Sequence, residues 1–424
     1  MTKKAFRPTA YLIIHASNPI VNMTSVFGFR QNPQFWYPIS HSPPTKAIHT
    51  GQLQTSNTLP TNGWRTFYLT ATHIYQGLSE SPVACCEFKV DLRWVTLKPF
   101  EERTNSGIRF GFSLISVTKR EDLYANSQED LNLWLDQLEQ ICILRDIADD
   151  FTLSNQIGSG VQSEVFRGES IRTGVEMAIK HFDKRRFINH PKKLEALAKE
   201  IDILRRISHP RILQLLNVYE DDQAVYLVTE LIQGKTLYDD LRTHGIFAVL
   251  EAETFITNFL DLLVYLARQG ILHRDIKPEN IMIPDCTTRG DFKLIDFGFA
   301  TQWTGVQIDA SCGSPGYMAP EIIWTRSHGE TVDVYSAGMV FYVLIAGCSP
   351  FFATRRSEVI RLNAENDVTF GQQWTAAKGK FRGLIKDMTC TDPSLRKTAV
   401  ELKSTLLGAK SEQPMTEKAA STET

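Results

Sequence analysis

The run His273-Arg274-Asp275-Ile276-Lys277-Pro278-Glu279-Asn280 constrains this chain more than any other stretch. A mostly apolar segment leads into it, Phe259 to Leu272 with Leu260, Leu263, Val264 and Leu266, and the short apolar Ile281-Met282-Ile283 leads away. Further on stands Ile295-Asp296-Phe297-Gly298. The bulk composition permits a folded body around these loops. With 424 residues, 42% hydrophobic and 22% charged, the chain is globular with ample core, and its length suggests two or three domains. A net charge of −2 gives no footing for nucleic acid or for a broadly basic membrane face. The 7 cysteines are odd in number and lack metal-ligand spacing, and Cys85-Cys86 would place one thiol on each face of a strand. They read as free thiols in a reducing compartment, so a cytoplasmic location is expected. No apolar run reaches the roughly 18–20 residues needed to span a bilayer, so the chain is not expected to be transmembrane. Tyr11-Leu12-Ile13-Ile14 is too short for a signal sequence, Thr2 excludes myristoylation, and Ser421-Thr422-Glu423-Thr424 is no prenylation box.

An H-R-D-x-K-x-x-N run followed by D-F-G resembles the catalytic and metal-binding loops of eukaryotic-type protein kinases. That family's motifs recur in order from Phe151 to about residue 408. Gln156-Ile157-Gly158-Ser159-Gly160-Val161-Gln162-Ser163-Glu164-Val165-Phe166 reads as a strand, a glycine-rich turn and a strand, with Ser163 where the family has a third glycine. Glycines at 158 and 160 let backbone amides approach phosphates with no Cβ in the way. The resemblance implies ATP as co-substrate, with Ile157, Gly158, Ser159, Gly160, Val165 and Ala178 around it and Lys180 on its α- and β-phosphates. Lys180 needs an anionic partner, and Glu200, in the helical run Leu194 to Ile207, fits. Tyr226-Leu227-Val228-Thr229 reads as a buried strand. By resemblance Thr229 is the gatekeeper, and the backbones of Glu230 and Ile232 meet adenine. Asp275 would accept the proton of the substrate hydroxyl, Lys277 would supply charge to the moving phosphoryl group, and Asn280 with Asp296 would hold Mg2+. Glu279 would recognise a basic residue of a protein substrate. His273 and Phe297 would stack with Leu204 and Leu215 as an apolar spine.

Arg274 beside Asp275 usually accompanies control by phosphorylation of an activation loop. The residue at the usual acceptor position is Ala310, with Asp309 as a built-in anion and Ser311 or Thr304 as alternative acceptors. Ser314 stands for the threonine that contacts Asp275 and Lys277, and keeps its hydroxyl. Asp333-Val334-Tyr335-Ser336-Ala337-Gly338 matches a D-x-W-S-x-G helix with Tyr for Trp, and Arg396 is placed to pair with Glu321. Gly313-Ser314-Pro315-Gly316-Tyr317-Met318-Ala319-Pro320-Glu321 looks like the calcium/calmodulin-dependent branch of Ser/Thr kinases. The domain order resembles protein kinase B, without that family's hydrophobic tail.

Upstream, residues 1–44 carry Asn18-Pro19, Asn32-Pro33, Tyr37-Pro38 and Ser42-Pro43-Pro44, which should sustain neither helix nor strand ladder. Their aromatics Phe27, Phe29, Phe35, Trp36 and Tyr37 suit packing on a neighbouring domain, or a docking arm. Residues 45–145 show strand-like runs at Thr66–Thr70, His73–Tyr75, Glu87–Leu92 and Arg109–Leu114. Ser127 with Asp130 forms a capping box, followed by a stripe of Leu131, Trp134, Leu135, Leu138, Ile141 and Cys142. Antiparallel strands closed by one amphipathic helix bearing a Trp resemble a pleckstrin-homology domain, with Gly63-Trp64-Arg65, the strand at Phe112–Leu114 and Trp134 as matching features. Gln54, Thr55 and Phe67 stand where phosphoinositide binders carry cations, leaving Arg65 nearby. Two readings follow for this domain: a protein-contact or autoinhibitory module, or a weak binder of anionic lipid that brings the chain to membranes. The short polar linker 145–150 should make the two domains touch, and 409–424 should be a disordered tail.

The expected fold class is α+β. It comprises a two-lobed kinase fold, with a β-rich N-lobe and a helical C-lobe, plus an N-terminal antiparallel barrel or sandwich capped by a helix. The expected activity is transfer of the γ-phosphate of Mg-ATP to Ser/Thr hydroxyls of proteins. The alternative is a kinase-fold scaffold that acts mainly by binding.

Overall fold

The computed structural model describes residues 25–31, 35–55, 63–77, 86–105, 107–117, 119–160, 162–187, 190–285, 287–306, 308, 312–371, 374 and 376–411. They fall into two compact units, Met1–Ala198 with Gln214–Leu231, and Lys199–Leu213 with Ile232–Thr424.

The first unit opens with eight strands: β1 (Tyr37–His41), β2 (His49–Thr55), β3 (Trp64–Leu69), β4 (His73–Gly77), β5 (Cys86–Asp91), β6 (Thr96–Thr104), β7 (Gly107–Ile115) and β8 (Arg120–Ala125). They form one antiparallel sheet in the order β1-β5-β4-β3-β2-β8-β7-β6. Alternation of side chains decides the buried face: Arg65, Phe67 and Leu69 in β3, and Glu121, Leu123 and Ala125 in β8. Helix α1 (Gln128–Leu138) packs Leu131, Trp134 and Leu138 into the same core as Leu53, Phe67 and Phe112. Ser127 caps it through its side chain, which accepts the Asp130 N–H at 3.1 Å. The Asp130 carboxylate accepts from the Asn126 N–H at 3.2 Å, so the return bond of the box lands one residue early. The helix also ends earlier than its stripe suggests. Ile141 and Cys142 are buried, but beyond Leu138, because the chain turns there toward the next domain.

One expectation is corrected at residues 37–41. Tyr37–His41 does form a strand despite Pro38, because β1 is the outermost strand and pairs only with β5. An edge strand needs N–H donors on one side alone, so proline is tolerated there. The same holds for Pro99 in β6, at the opposite edge. Phe27, Phe35 and Trp36 are buried, with the Trp36 ring 6.3 Å from Phe67 and 6.4 Å from Phe88. The Pro-rich residues 18–19 and 32–33 lie outside the described residues.

The first unit continues with α2 (Ile147–Asp150), β9 (Phe151–Ser159), β10 (Glu164–Ser170), β11 (Glu176–Asp183), the first half of α3 (Pro191–Arg206), β12 (Leu215–Glu220) and β13 (Ala224–Glu230). The strands form a second antiparallel sheet, β12-β13-β11-β10-β9. Its core is continuous with that of the first sheet. Ile141, Cys142, Leu144 and Ile147 join Trp134 and Leu138 on one side to Phe151, Ile179, Tyr219 and Val228 on the other.

The second unit holds the rest of α3, then β14 (Gly234–Thr236), α4 (Leu237–His244), α5 (Val249–Arg268), β15 (Ile271–Leu272), β16 (Ile281–Pro284), β17 (Lys293–Leu294) and β18 (Thr301–Gln302). Helices α6 (Pro320–Ile323), α7 (Thr331–Ala346), α8 (Arg356–Glu365), α9 (Ala376–Met388) and α10 (Ala399–Ser411) follow. Helix α7 is apolar all round and buried on nearly every side, as a central helix of a large core must be. Phe255 and Phe259 of α5 pack with Phe292 and with Phe341 of α7 at 4.8–6.3 Å between ring centres. Helix α10 carries order three residues past the expected start of the tail, and residues 412–424 lie outside the described residues. No helix among the described residues is long and apolar enough to cross a membrane.

Candidate active site

The loop His273–Asn280 is suspended between two buried apolar strands, β15 and β16. Asp333, from the first turn of α7, holds its backbone from behind. One carboxylate oxygen accepts the His273 N–H at 2.6 Å and the other the Arg274 N–H at 2.8 Å. Burial pushes the Asp333 carboxyl above its ordinary value, opposed by nearby His273 and the two N–H bonds. Arg274 has φ of 63°, a left-handed conformation that an L-residue keeps only when its surroundings dictate it. Its Nε donates to the Phe299 carbonyl at 2.9 Å, so the guanidinium is engaged with backbone. Gly313 packs against the same turn, with φ of +120° and room for a Cβ only 2.9 Å from the Arg274 carbonyl. No residue but glycine satisfies both conditions.

Asp275 is buried at the centre of a ring of donors. Lys277 Nζ lies 2.9 Å from one carboxylate oxygen, and Ser314 Oγ donates to the other at 2.8 Å. Lys277 Nζ also donates to Ser314 Oγ at 2.7 Å, closing a triangle. Asn280 Nδ2 donates to the Asp275 carbonyl at 2.9 Å and to its carboxylate at 3.0 Å. A carboxylate so held stays oriented as an acceptor for an incoming hydroxyl, which is the geometry a general base requires.

Asp296 also has positive φ, 61°. Beside it Phe297 is buried with its ring edge-on to His273, centroids 4.8 Å apart, and His273 Nε2 lies 3.3 Å from the Ile295 carbonyl. Glu200 is buried on the Lys199–Leu213 stretch of this unit. A Cβ built on Gly298 would sit 3.4 Å from Asp296 Oδ1 and 3.5 Å from Glu200 Oε2, so both carboxylates flank that glycine. Asn280 turns its amide nitrogen to Asp275, and its Oδ1 takes no part in those bonds. With the Asp296 carboxylate it offers hard oxygen donors of the type Mg2+ takes. No cluster of three or more His, Cys, Asp or Glu that could hold a metal is found among the described residues.

The remaining site residues sit together on the five-stranded sheet of the first unit. Glycines 158 and 160 lie at the β9–β10 hairpin, with Gly158 opposite Val165 and the Gly160 N–H donating to the Ser163 carbonyl at 2.8 Å. Ile157, Ser159 and Gly160 are exposed. Lys180 stands on β11 opposite Val165 of β10 and Leu227 of β13, and Ala178 stands opposite Thr229. Thr229 Oγ1 donates to the Ala178 carbonyl at 3.3 Å, which ties this small side chain to the neighbouring strand. Glu230 ends β13, with its N–H donating to the Gln214 carbonyl at 3.2 Å, and Ile232 follows at the start of the second unit.

The structure thus gathers Glu200, Asp275, Lys277, Asn280 and Asp296 in one unit, with Ser314 among them. It gathers Ile157 to Gly160, Val165, Ala178, Lys180, Thr229 and Glu230 in the other. Glu279 is exposed beside this loop, close enough that its charge adds to burial in raising the Tyr317 hydroxyl. Asp333 is the loop-holding residue that its D-x-Y-S-x-G motif marks in the sequence without assigning it a partner. Asp309, Ala310 and Ser311 lie outside the described residues.

The protein kinase domain family matches residues 151–406. Calcium/calmodulin-dependent protein kinase type 1 of Caenorhabditis briggsae is 33% identical over 258 residues, 59% of this chain and 70% of that protein. Probable serine/threonine-protein kinase 2 of Plasmodium falciparum is 31% identical over 252 residues, 59% of this chain and 48% of that one. Calcium-dependent protein kinase 14 of Arabidopsis thaliana is 31% identical over 260 residues, 61% and 49% of the two chains.

Proposed function

This chain belongs to the protein kinase family and is a serine/threonine kinase, and from its site we propose how the residues divide the work of moving the γ-phosphoryl group of ATP to a protein hydroxyl. The observation that carries the reading is the ring around Asp275. Its carboxylate, held by Lys277, Ser314 and Asn280, orients the Ser or Thr hydroxyl of the substrate and takes its proton as the oxygen attacks phosphorus. Lys277 carries positive charge to the place where the transferred group develops its negative charge. Asp296 and Asn280 are the residues that would hold Mg2+, whose chemistry is to neutralise phosphate oxygens and fix their orientation. Lys180 is assigned to the α- and β-phosphates. The glycine-rich hairpin covers the phosphates with Gly158, Ser159 and Gly160, and Ile157, Val165 and Ala178 contact the base. The backbones of Glu230 and Ile232 hydrogen-bond adenine behind Thr229. Glu279, exposed and acidic, selects a basic residue in the protein substrate.

Residues 45–145 are assigned to a pleckstrin-homology-like module and 151–408 to the kinase domain. Support for the first is the antiparallel sheet ending in α1 with buried Trp134. Arg65, the cation nearest the family's lipid site, is buried and pairs with Glu87 at 2.9 Å, which favours protein contact over anionic lipid for this module.

Purified chain with Mg-ATP and a mixed Ser/Thr peptide library tests the catalytic reading. Wild type incorporates label, and Asp275→Asn loses incorporation by several orders of magnitude. Equal incorporation by the two proteins would leave the scaffold alternative standing.

A further inference from the structure

We propose that Glu220 is a positioning residue for phosphotransfer: it locks the outer edge of the five-stranded sheet to residues 25–27 and so fixes the strand row that carries Lys180. The inference rests on the reading that Lys180 holds the nucleotide phosphates. Glu220 ends β12, the edge strand, and would ordinarily be a solvated surface carboxylate. Here its side chain is only 4% exposed. Three donors converge on it: Lys184 Nζ at 2.8 Å and the Val26 N–H at 2.6 Å on one oxygen, and Ser25 Oγ at 2.7 Å on the other. Lys184 is itself buried and also donates to the Asp221 carbonyl. A buried ion pair with its remaining lone pairs met holds one geometry, since every alternative strands a charge.

The donors come from a segment anchored elsewhere. Phe27 is fully buried with its ring 5.0 Å from that of Trp94. Gln31 Nε2 donates to the Trp94 carbonyl at 2.7 Å and its Oε1 accepts the Val117 N–H at 2.6 Å. Residues 25–31 therefore staple the β5–β6 connection and the β7–β8 turn of the N-terminal sheet to the end of β12.

A second strap lies beside the first. The Leu144 N–H donates to the Val218 carbonyl at 2.8 Å, and the Glu220 N–H donates to the Leu144 carbonyl at 2.9 Å. Leu144 thereby acts as one residue of a sixth, parallel strand on β12. From that point one row of pairings crosses the whole sheet: Val218 with Leu227, Leu227 with Lys180, Lys180 with Val165, and Val165 with Gly158. Val218, whose carbonyl accepts the Leu144 N–H, is thus in register with Lys180 and Gly158, and Glu220 lies two residues further along the same edge strand. On this reading residues 25–31 and Leu144 support the five-stranded sheet, the reverse of an autoinhibitory role.

The full chain tests this without truncation. Glu220→Gln keeps the volume but removes the charge opposite Lys184, and Ser25→Ala removes one hydroxyl. The expected result is a KM for ATP raised about tenfold in Glu220→Gln and about threefold in Ser25→Ala, with KM for peptide and kcat within about twofold of wild type, since only the phosphate-holding row has shifted. Ser25→Thr, which keeps the hydroxyl, restores the wild-type value. A merely structural role would lower the active fraction and leave both KM values alone. Ser25→Ala with unchanged KM for ATP overturns the proposal, also where Glu220→Gln fails to fold. Lys180→Met run alongside separates the two layers: if it too leaves ATP use intact, the assignment of Lys180 has failed; if it abolishes ATP use while Ser25→Ala and Glu220→Gln do nothing, the positioning role alone has failed.

Discussion

Arg396 and Glu321 are 0% and 2% exposed and meet through two hydrogen bonds, 2.6 and 2.9 Å. Arg396 also donates to the Cys390 carbonyl at 3.0 Å and to the Thr331 carbonyl at 3.1 Å, and its guanidinium lies 5.1 Å from the centre of the Tyr335 ring. Arg396→Ala strands a buried carboxylate, which costs about 3–5 kcal/mol. It also removes donors from two carbonyls, at about 1 kcal/mol each. A loss of about 5–7 kcal/mol at 2–4 °C per kcal/mol lowers Tm by roughly 10–28 °C. Glu321→Gln leaves the guanidinium charged opposite a neutral amide and should cost about 3–5 kcal/mol. The double variant Arg396→Met with Glu321→Leu buries no charge and should recover most of the loss, to within about 2 kcal/mol of wild type. Urea unfolding of wild type and the three variants, followed by far-ultraviolet circular dichroism, measures these losses. An Arg396→Ala loss below about 1 kcal/mol, or a double variant as unstable as the two singles summed, would refute the claim that desolvated charge sets the cost.

Other outcomes follow from the site and the N-terminal sheet. Ser314→Ala breaks the triangle with Asp275 and Lys277 and should lower kcat about 10–100-fold with little change in Tm, while Ser314→Thr stays near wild type; steady-state peptide kinetics decide it. Asp333→Asn turns an amide NH2 toward either the His273 or the Arg274 N–H, so it should cost about 1–3 kcal/mol in urea unfolding and depress kcat, and an unchanged kcat would remove Asp333 from the catalytic support. Burial alone would raise the Asp91 carboxyl, but hydrogen bonds and charge from Arg93 outweigh it and hold it below its ordinary value. A depressed carboxyl contributes stability that is present above its unfolded value, about 3.9, and is lost as pH falls through the lower folded value. Asp91→Asn should therefore flatten the acid limb of stability against pH below about 4, and an acid limb identical to wild type would contradict this.

The motif residues were legible in the sequence because chemistry restricts them to one type each. Asp275, Lys277, Asn280 and Asp296 stand at the spacing their loop needs, and the structure brings them within one unit with Glu200 and Ser314. Helix α1 was legible through Ser127 and the Leu131, Trp134, Leu138 stripe, since capping and helical periodicity are local. What escaped is long-range. Proline in Tyr37–His41 argued against a strand, and only the strand's place at the sheet edge makes it harmless. Glu220 and Lys184 carry no signal in the sequence, because nothing local says that residues 25–27 will cover them. Asp333 was seen within its motif, but its task depends on α7 passing behind a loop some 60 residues earlier in the chain.

By itself, then, the sequence determined the class of chemistry: a kinase loop announces itself through side chains whose acidity, charge and hardness have few substitutes. The tertiary structure alone decided how that loop is supported. A hydrogen bond to a distant backbone leaves no periodic trace in the chain. The buried carboxylates Asp333 and Glu220 became supports only when folding removed water from around them and left one set of partners within reach.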